Sequence, residues 1–160
     1  MKILILIIYI TVIGQGCFFF GLALPRKKID ENKFPYKAFL WEQNGKFYDR
    51  FRVKKWKTKV PDMSVLTNKI FPKKLHGDMT SDDIDRLIKE SCIAEMIHYI
   101  LCVLSIGIYH IWKGKIGIVL TVLYNLLGNL PYIIIQRYNR PHFIELRERL
   151  KIREERRVNG

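Results

Sequence analysis

Apolar residues are grouped into three long blocks, and polar stretches separate the blocks. The blocks cover residues 3–24, 93–112 and 116–135. A transmembrane helix needs about 20 predominantly apolar residues, so each block is long enough to cross a bilayer. The short connection at residues 113–115 forces the second and third blocks to run antiparallel. The pattern therefore predicts an all-α, small integral membrane protein with about three spans.

The same pattern divides the chain into three parts. Residues 1–24 form an N-terminal membrane helix, residues 25–142 hold the other spans and a basic amphipathic segment, and residues 143–160 form a charged tail. Lys2 and the small residues near Ala23 also fit a cleaved signal peptide. Since the apolar centre exceeds the 7–15 residues typical of such peptides, we favour a retained signal anchor.

Polar side chains interrupt the second and third blocks in a regular way. Glu95 and His98 lie three residues apart and share one face of a helix, and Glu90 lies within the same broad arc. A polar stripe with helical spacing follows the third block at Asn125, Asn129, Tyr132 and Gln136. Ionisable groups at membrane depth are energetically expensive and usually face a partner or a polar cavity. We expect the two stripes to meet around a shared pocket.

The chain is strongly basic, with a formal net charge of +13. Such a charge suits nucleic acid, an anionic membrane surface or an anionic substrate. The basic residues flank the apolar blocks, which favours a cell-membrane surface and no nucleic-acid partner. Of the 28 Lys and Arg residues, 17 lie in residues 25–89 and 8 in residues 136–160. The positive-inside rule then predicts that this central segment and the tail are cytoplasmic.

Residues 47–61 interleave aromatic and basic side chains. One interpretation is a solvated basic loop. The other is a lid over a lipid site, in which Phe47, Phe51 and Trp56 lie in the headgroup layer. The sequence leaves both open.

Three short motifs resemble the membrane acyltransferases of the staphyloxanthin pathway, the glycosyl-4,4'-diaponeurosporenoate acyltransferases. They are Trp56-Lys57…Pro61, Glu90…Ala94-Glu95…His98, and Asn129-Leu130-Pro131…Gln136-Arg137-Tyr138-Asn139-Arg140. The resemblance spans residues 47–142, and His142 departs from it, since we expect an arginine there. It implies an integral membrane enzyme that esterifies a sugar hydroxyl of a glycolipid with a fatty acyl group.

Acyl transfer to a hydroxyl needs a base, donors for the developing oxyanion and a place for the acyl chain. His98 is the natural general base, since its unperturbed pKa is about 6.5. Glu95 or Glu90 would orient the imidazole and stabilise its charged form. These three residues are the predicted catalytic set.

Substrate binding is assigned to polar residues of the same motifs. Amide donors come from the polar stripe, and arginines at the headgroup level suit phosphate or a coenzyme A moiety. The predicted substrate-binding residues are Asn125, Asn129, Gln136, Arg137, Asn139, Arg140, Trp56 and Lys57. No cofactor is expected; the partners are a glycolipid acceptor and an acyl donor, acyl-CoA or acyl carrier protein.

Other interpretations stay open. Ser91, Cys92 or Cys102 could form an acyl-enzyme, although we favour direct transfer. The Glu95-x-x-His98 spacing is typical of di-iron sites, but those need two such pairs, so no metal is expected. A non-enzymatic basic adaptor that binds anionic lipid or a protein is the alternative function. The remaining histidines are expected to be structural, namely His76, His110 and His142.

Overall fold

The structure, a computed structural model, describes residues 1–61 and 79–159, and helices dominate this part of the chain. The α-helices are α1 (Lys2–Ala23), α2 (Val53–Trp56), α3 (Ser81–Leu104), α4 (Ile106–Ile111), α5 (Lys115–Leu123) and α6 (Leu130–Val158). A π-helical turn, Tyr124–Asn129, joins α5 to α6, and 3₁₀ turns occur within Arg26–Lys28, Leu40–Phe51 and Lys57–Lys59. Residues 1–61 and 79–159 contain no β-strand, which confirms the predicted all-α class.

Three helical stretches in the described residues are long and apolar enough to cross a membrane: Lys2–Ala23, Ser81–Ile111 and Lys115–Arg157. They confirm the three predicted spans. The second is interrupted at Ser105, where α3 gives way to α4. The third continues well beyond its apolar block, because α6 runs on through Pro141 into the charged tail. His76 lies outside the described residues.

The chain forms two compact units, each built from separate pieces of sequence. Unit 1 comprises Met1–Leu24 and Ile93–Ile133, and unit 2 comprises Pro25–Cys92 and Ile134–Gly160. Because each unit combines distant segments, neither could be read as one continuous stretch of sequence.

Unit 1 packs α1 against the end of α3. Ile13, Cys17 and Leu101 form its buried core. A side chain at Gly21 would collide with Ile97, so this glycine permits the close approach of α1 and α3. The hydroxyl of Tyr9 donates a 2.6 Å hydrogen bond to the carbonyl oxygen of Leu104 and ties the same two helices together.

Two small apolar cores are found among the described residues of unit 2. Burial of these side chains from water is the main favourable term in holding such a unit together. The first core contains Tyr48, Val53, Ile135 and Tyr138. The second contains Ile84, Leu87, Ile88 and Phe143. Phe143 belongs to the charged tail, so α6 contributes to the packing of unit 2.

The start of α3 in unit 2 is capped by side chains on both sides of its first turn. The hydroxyl of Thr80 accepts a 3.3 Å bond from the backbone N–H of Asp83, and the Asp83 carboxylate accepts from the Thr80 backbone at 3.0 Å. Glu154 of the tail adds a second cap, because its carboxylate accepts from the backbone N–H and the hydroxyl of Ser81, at 2.9 and 2.6 Å.

Candidate active site

In unit 1, the structure brings His98 of α3 to the π-helical turn. Its Nδ1 atom lies 3.0 Å from Oδ1 of Asn129. The imidazole also stacks on Tyr132, with ring centroids 4.5 Å apart and planes inclined by 11°. Asn129 is 1% exposed, whereas His98 is half-buried. The predicted meeting of the imidazole with the amides of the next span therefore holds for Asn129.

A chain of hydrogen bonds leads from this contact back to the break between α3 and α4. Ser105 donates to the carbonyl of Cys102 at 2.6 Å, and its oxygen accepts from Nδ2 of Asn125 at 2.8 Å. Oδ1 of Asn125 accepts from Nδ2 of Asn129 at 3.3 Å. Asn129 thus presents its amide oxygen, which can only accept, to His98. In the neutral form of His98, the proton then lies on Nδ1 and the lone pair on Nε2.

The π-helical turn positions both amides of this relay, since Asn125 and Asn129 lie within it. Its last bond runs from the backbone N–H of Leu130 to the carbonyl of Asn125, one residue further back than in an α-helix. Pro131 follows directly and cannot donate a backbone hydrogen bond. The helix thus widens just before Pro131, and such π-helical turns are common at functional sites.

Glu95 lies one turn before His98 and is fully buried. Its carboxylate accepts a 2.9 Å hydrogen bond from the hydroxyl of Tyr99. The sequence did not single out Tyr99, although its i+4 spacing from Glu95 could have suggested the contact. An electrostatic role for Glu95 beside the imidazole stays a prediction.

Glu90 belongs to unit 2 and forms an ion pair there. Its two carboxylate oxygens accept from Nε and Nη2 of Arg26, at 2.9 and 3.2 Å. Glu90 is 4% exposed, and Arg26 covers it from a segment directly after α1. A catalytic role for Glu90 stays a prediction, and the visible role of its charge is to bind Arg26.

Arg137 is buried in unit 2 and held by three residues of the 35–42 stretch. Its guanidinium makes a forked pair with Glu42, with Nη2 donating to Oε2 at 2.7 Å and Nε donating to Oε1. Nη1 donates to the carbonyl of Pro35 at 3.0 Å, and Nη2 donates also to the carbonyl of Lys37 at 3.2 Å. A phosphate could bind Arg137 only by displacing some of these acceptors.

Arg140 has a similar setting in unit 2. Its Nε and Nη2 atoms donate to the hydroxyl and the carbonyl of Ser91, at 2.9 and 3.2 Å. Its Nη1 atom donates to the carbonyl of Tyr36 at 2.8 Å. Ser91 in turn donates to the carbonyl of Ile88 at 2.9 Å, so this hydroxyl has both a donor and an acceptor role in the structure.

Glu42 is a buried, multiply hydrogen-bonded residue of unit 2 that the sequence pattern does not single out. It is 2% exposed and accepts from Arg137, from the hydroxyl of Tyr48 and from the backbone N–H of Phe39. Burial alone would raise the pKa of Glu42, but the hydrogen bonds from Arg137 and Tyr48 outweigh it and lower that pKa. Burial, reinforced by Glu42, raises the pKa of Tyr48.

Two predicted substrate-binding residues meet in unit 2. Nζ of Lys57 donates to Oδ1 of Asn139 at 2.7 Å and lies 4.9 Å from the ring centre of Tyr138. Burial, with a smaller contribution from Lys54, lowers the pKa of Lys57. Within residues 1–61 and 79–159, a neutral amide and an aromatic face hold this ammonium, and no carboxylate forms an ion pair with it.

The other predicted site residues are placed less distinctively. Trp56 packs against the first core of unit 2, and its indole N–H donates to the carbonyl of Phe51 at 3.0 Å. Gln136 is buried on α6. His142 donates to the carbonyl of Tyr138 at 2.8 Å, and His110 is exposed. Within residues 1–61 and 79–159, no three or more His, Cys, Asp or Glu side chains are grouped to hold a metal ion.

The helices and the histidine–amide relay define an all-α membrane protein with a candidate base on a spanning helix. The family model described as glycosyl-4,4'-diaponeurosporenoate acyltransferase matches residues 26–149. A relative of that name from Staphylococcus aureus (strain bovine RF122 / ET3-1) is 36% identical over 138 residues, which cover 85% of this chain and 82% of the relative. The relative from strain USA300 is 35% identical over the same shares. No solved structure matches the chain significantly.

The chain therefore belongs to this family of acyltransferases. The matched region includes all three motifs on which the resemblance was based. The sequence-based assignment to the family is confirmed.

Proposed function

We propose that this protein transfers a fatty acyl group to a sugar hydroxyl of a glycosylated lipid. The relatives are named for acylation of a glycosyl-4,4'-diaponeurosporenoate, a glycosylated lipid. The three helices able to span a membrane suit an enzyme whose acceptor and acyl chain both partition into the bilayer. The relatives support the type of reaction, acyl transfer, most directly. For this chain we therefore propose glycosylated lipids as a class of acceptor and not one particular lipid.

The observation that carries the mechanism is the relay that ends on Nδ1 of His98. With its proton on Nδ1, the imidazole accepts the proton of the sugar hydroxyl at Nε2. The hydroxyl oxygen then attacks the acyl carbonyl carbon, and the new ester bond forms as the bond to the donor breaks. The imidazolium returns its proton to the leaving group. Glu95, buried one turn away, stabilises the imidazolium while it is charged.

The acyl donor in this proposal is a thioester, acyl-CoA or acyl carrier protein. Both carry phosphate, and the exposed bases of unit 2 suit such an anion. Arg137 and Arg140 contribute to donor binding only if the donor exchanges with their present partners. Lys57 is more accessible to a donor than these two arginines, because it is half-buried whereas they are buried. Its hydrogen-bond partner, Asn139, is neutral.

The charge distribution supports an orientation in the cell membrane. Residues 25–89 and 136–160 hold nearly all Lys and Arg residues, and basic segments stay on the cytoplasmic side. The central segment and the tail are then cytoplasmic, where activated acyl donors are made.

The test compares His98→Ala with His110→Ala, an exposed histidine of the same unit. Lipids from cells that express each variant are analysed by mass spectrometry. Loss of general-base catalysis predicts a fall of about 10²–10⁴-fold in acylated glycolipid for His98→Ala. His110→Ala should retain the wild-type product, which is heavier than its precursor by one fatty acyl group.

Membrane insertion of each variant is checked by immunoblotting of the membrane fraction. An inserted His98→Ala protein with wild-type product would exclude His98 as the base. Cells that gain no acylated glycolipid from the wild-type protein, when candidate acceptors are supplied, would contradict the proposed reaction itself.

A further inference from the structure

An apolar turn projects outward from unit 2. Leu40 is 99% exposed, and its neighbours Phe39 and Trp41 are 42% and 54% exposed. The rings of Phe39 and Trp41 stack on each other, with centroids 6.0 Å apart and planes 9° from parallel. Contiguous exposed apolar side chains of this size usually mark a contact surface. We call Phe39, Leu40 and Trp41 the apolar turn.

The same turn is fixed firmly on its inner side. Glu42, the next residue, is buried in its forked pair with Arg137. Gly45 is also buried, and a side chain on it would approach the carbonyl oxygen of Tyr138 to 3.1 Å. The intervening Gln43 and Asn44 have φ angles of +49° and +55°, which are uncommon for residues with side chains. The buried ion pair thus holds the chain in a shape that exposes Leu40 and Trp41.

Positive charge surrounds the apolar turn in the sequence. Every Lys and Arg in residues 33–55 is exposed: Lys33, Lys37, Lys46, Arg50, Arg52, Lys54 and Lys55. Of the two carboxylates in the same range, Glu42 is already neutralised by Arg137 and only Asp49 is exposed. Apolar and aromatic groups bordered by exposed bases match the layered chemistry of an anionic bilayer, with acyl chains below phosphates.

We propose that the apolar turn inserts into the interfacial layer of an anionic lipid bilayer. Leu40 and Trp41 enter the region between headgroups and acyl chains, and the exposed lysines and arginines bind lipid phosphates. Trp is enriched at this depth because its ring is apolar and its N–H is polar. The turn follows α1, a helix able to span a membrane, after a short connecting segment, so a bilayer lies within reach of this part of the chain. This anchoring is independent of the acyl acceptor.

The first experiment measures the fluorescence of Trp41. Full-length protein is placed at one copy per nanodisc in phosphatidylcholine and phosphatidylglycerol, with and without dibrominated phosphatidylcholine. Subtracting the spectrum of Trp41→Phe from that of the wild type isolates Trp41 from Trp56 and Trp112. Brominated lipid should reduce the Trp41 emission at least twofold, and discs without phosphatidylglycerol should show a smaller reduction. Unchanged emission with brominated lipid, together with quenching by aqueous acrylamide, would overturn the proposal.

The second experiment measures the accessibility of Leu40→Cys to a membrane-impermeant maleimide. The matched control is Asn159→Cys, also at an exposed position of unit 2 but near the chain end. In single-copy nanodiscs, Leu40→Cys should react at least fivefold more slowly than Asn159→Cys. Equal rates would contradict insertion. Protection that appears only with two or more copies per disc, or only with added protein, would assign the turn to a protein contact and also overturn the proposal.

Discussion

At the scale of single residues, the contact between Nδ1 of His98 and Oδ1 of Asn129 decides how the imidazole can react. An amide oxygen at Nδ1 fixes the tautomer in which Nε2 accepts a proton. The sequence pattern assigned Asn129 to substrate binding, as a donor for the oxyanion or the sugar. In the relay, its NH₂ group points to Asn125 and its oxygen to His98. The two interpretations predict different kinetics.

Asn129→Leu should lower kcat with little change in KM for the acceptor. Leucine has a similar size but cannot accept from Nδ1, so a share of the imidazole adopts the unreactive tautomer. We expect a fall of about 10-fold to 100-fold, since general-base catalysis as a whole contributes about 10²–10⁴-fold. Steady-state kinetics with purified protein in lipid discs gives both constants.

Asn125→Leu is the graded comparison, because Asn125 bonds to Asn129, which in turn contacts His98. It should lower kcat less than Asn129→Leu does. If either variant instead raises KM while kcat stays at the wild-type value, the amides bind substrate and do not position His98. Both variants should keep the wild-type thermal unfolding profile for the comparison to apply.

At the scale of elements, the turn over residues 39–51 depends on one buried ion pair. Glu42 and Arg137 are 2% and 5% exposed in their side chains and join α6 to a turn whose helical geometry is broken at Gln43, Asn44 and Gly45. Breaking a buried pair by removing one charge is strongly destabilising, by about 3–5 kcal/mol. Exposed pairs such as Glu145 with Arg149 contribute far less.

Glu42→Gln should therefore lower the midpoint of thermal unfolding clearly, whereas Glu145→Gln should leave it nearly unchanged. Near-ultraviolet circular dichroism follows the transition, since Trp41 and Tyr48 report on this turn. Glu42→Gln/Arg137→Met should recover part of the loss, because it leaves no uncompensated buried charge. Equal midpoints for Glu42→Gln and Glu145→Gln would show that the buried pair does not stabilise the turn.

The same pair predicts how stability depends on pH. The pKa of Glu42 lies below its ordinary value of 4.5, so the folded protein binds the Glu42 proton less readily than the unfolded chain does. This contribution to stability is fully present above pH 4.5 and is lost as the pH falls through the lowered pKa. In Glu42→Gln, this part of the acid destabilisation should be absent.

At the scale of the whole molecule, the sequence predicted what depends on local periodicity. The three apolar blocks form helices, as predicted. The short connection around Gly114 implied antiparallel neighbours, and this is why a contact between His98 and the amides of the next helix could be predicted. The ion pairs of unit 2 could not be found in this way. Glu42 and Arg137 lie 95 positions apart, and Arg26 and Glu90 lie 64 apart. Local spacing along the chain gives no indication of which distant charge completes each pair.

The overall orientation in the membrane is the prediction that the charge pattern makes most directly. Residues 113–115 contain two of the 28 Lys and Arg residues, whereas residues 25–89 and 136–160 together hold most of them. The positive-inside rule then predicts that the tail lies in the cytoplasm and the connection around Gly114 outside. Fusions to two reporter proteins distinguish the two sides of the membrane. Alkaline phosphatase is active only outside the cytoplasm. Green fluorescent protein fluoresces when it stays in the cytoplasm and does not when it crosses the membrane unfolded.

A green fluorescent protein fused after residue 160 should therefore fluoresce, and alkaline phosphatase at that position should be inactive. Alkaline phosphatase fused after Gly114 should be active, since a truncation there ends in the external connection. The reverse pattern at both positions would exclude a cytoplasmic tail. It would also separate the acyl donor from the basic residues of unit 2, because activated donors are made in the cytoplasm.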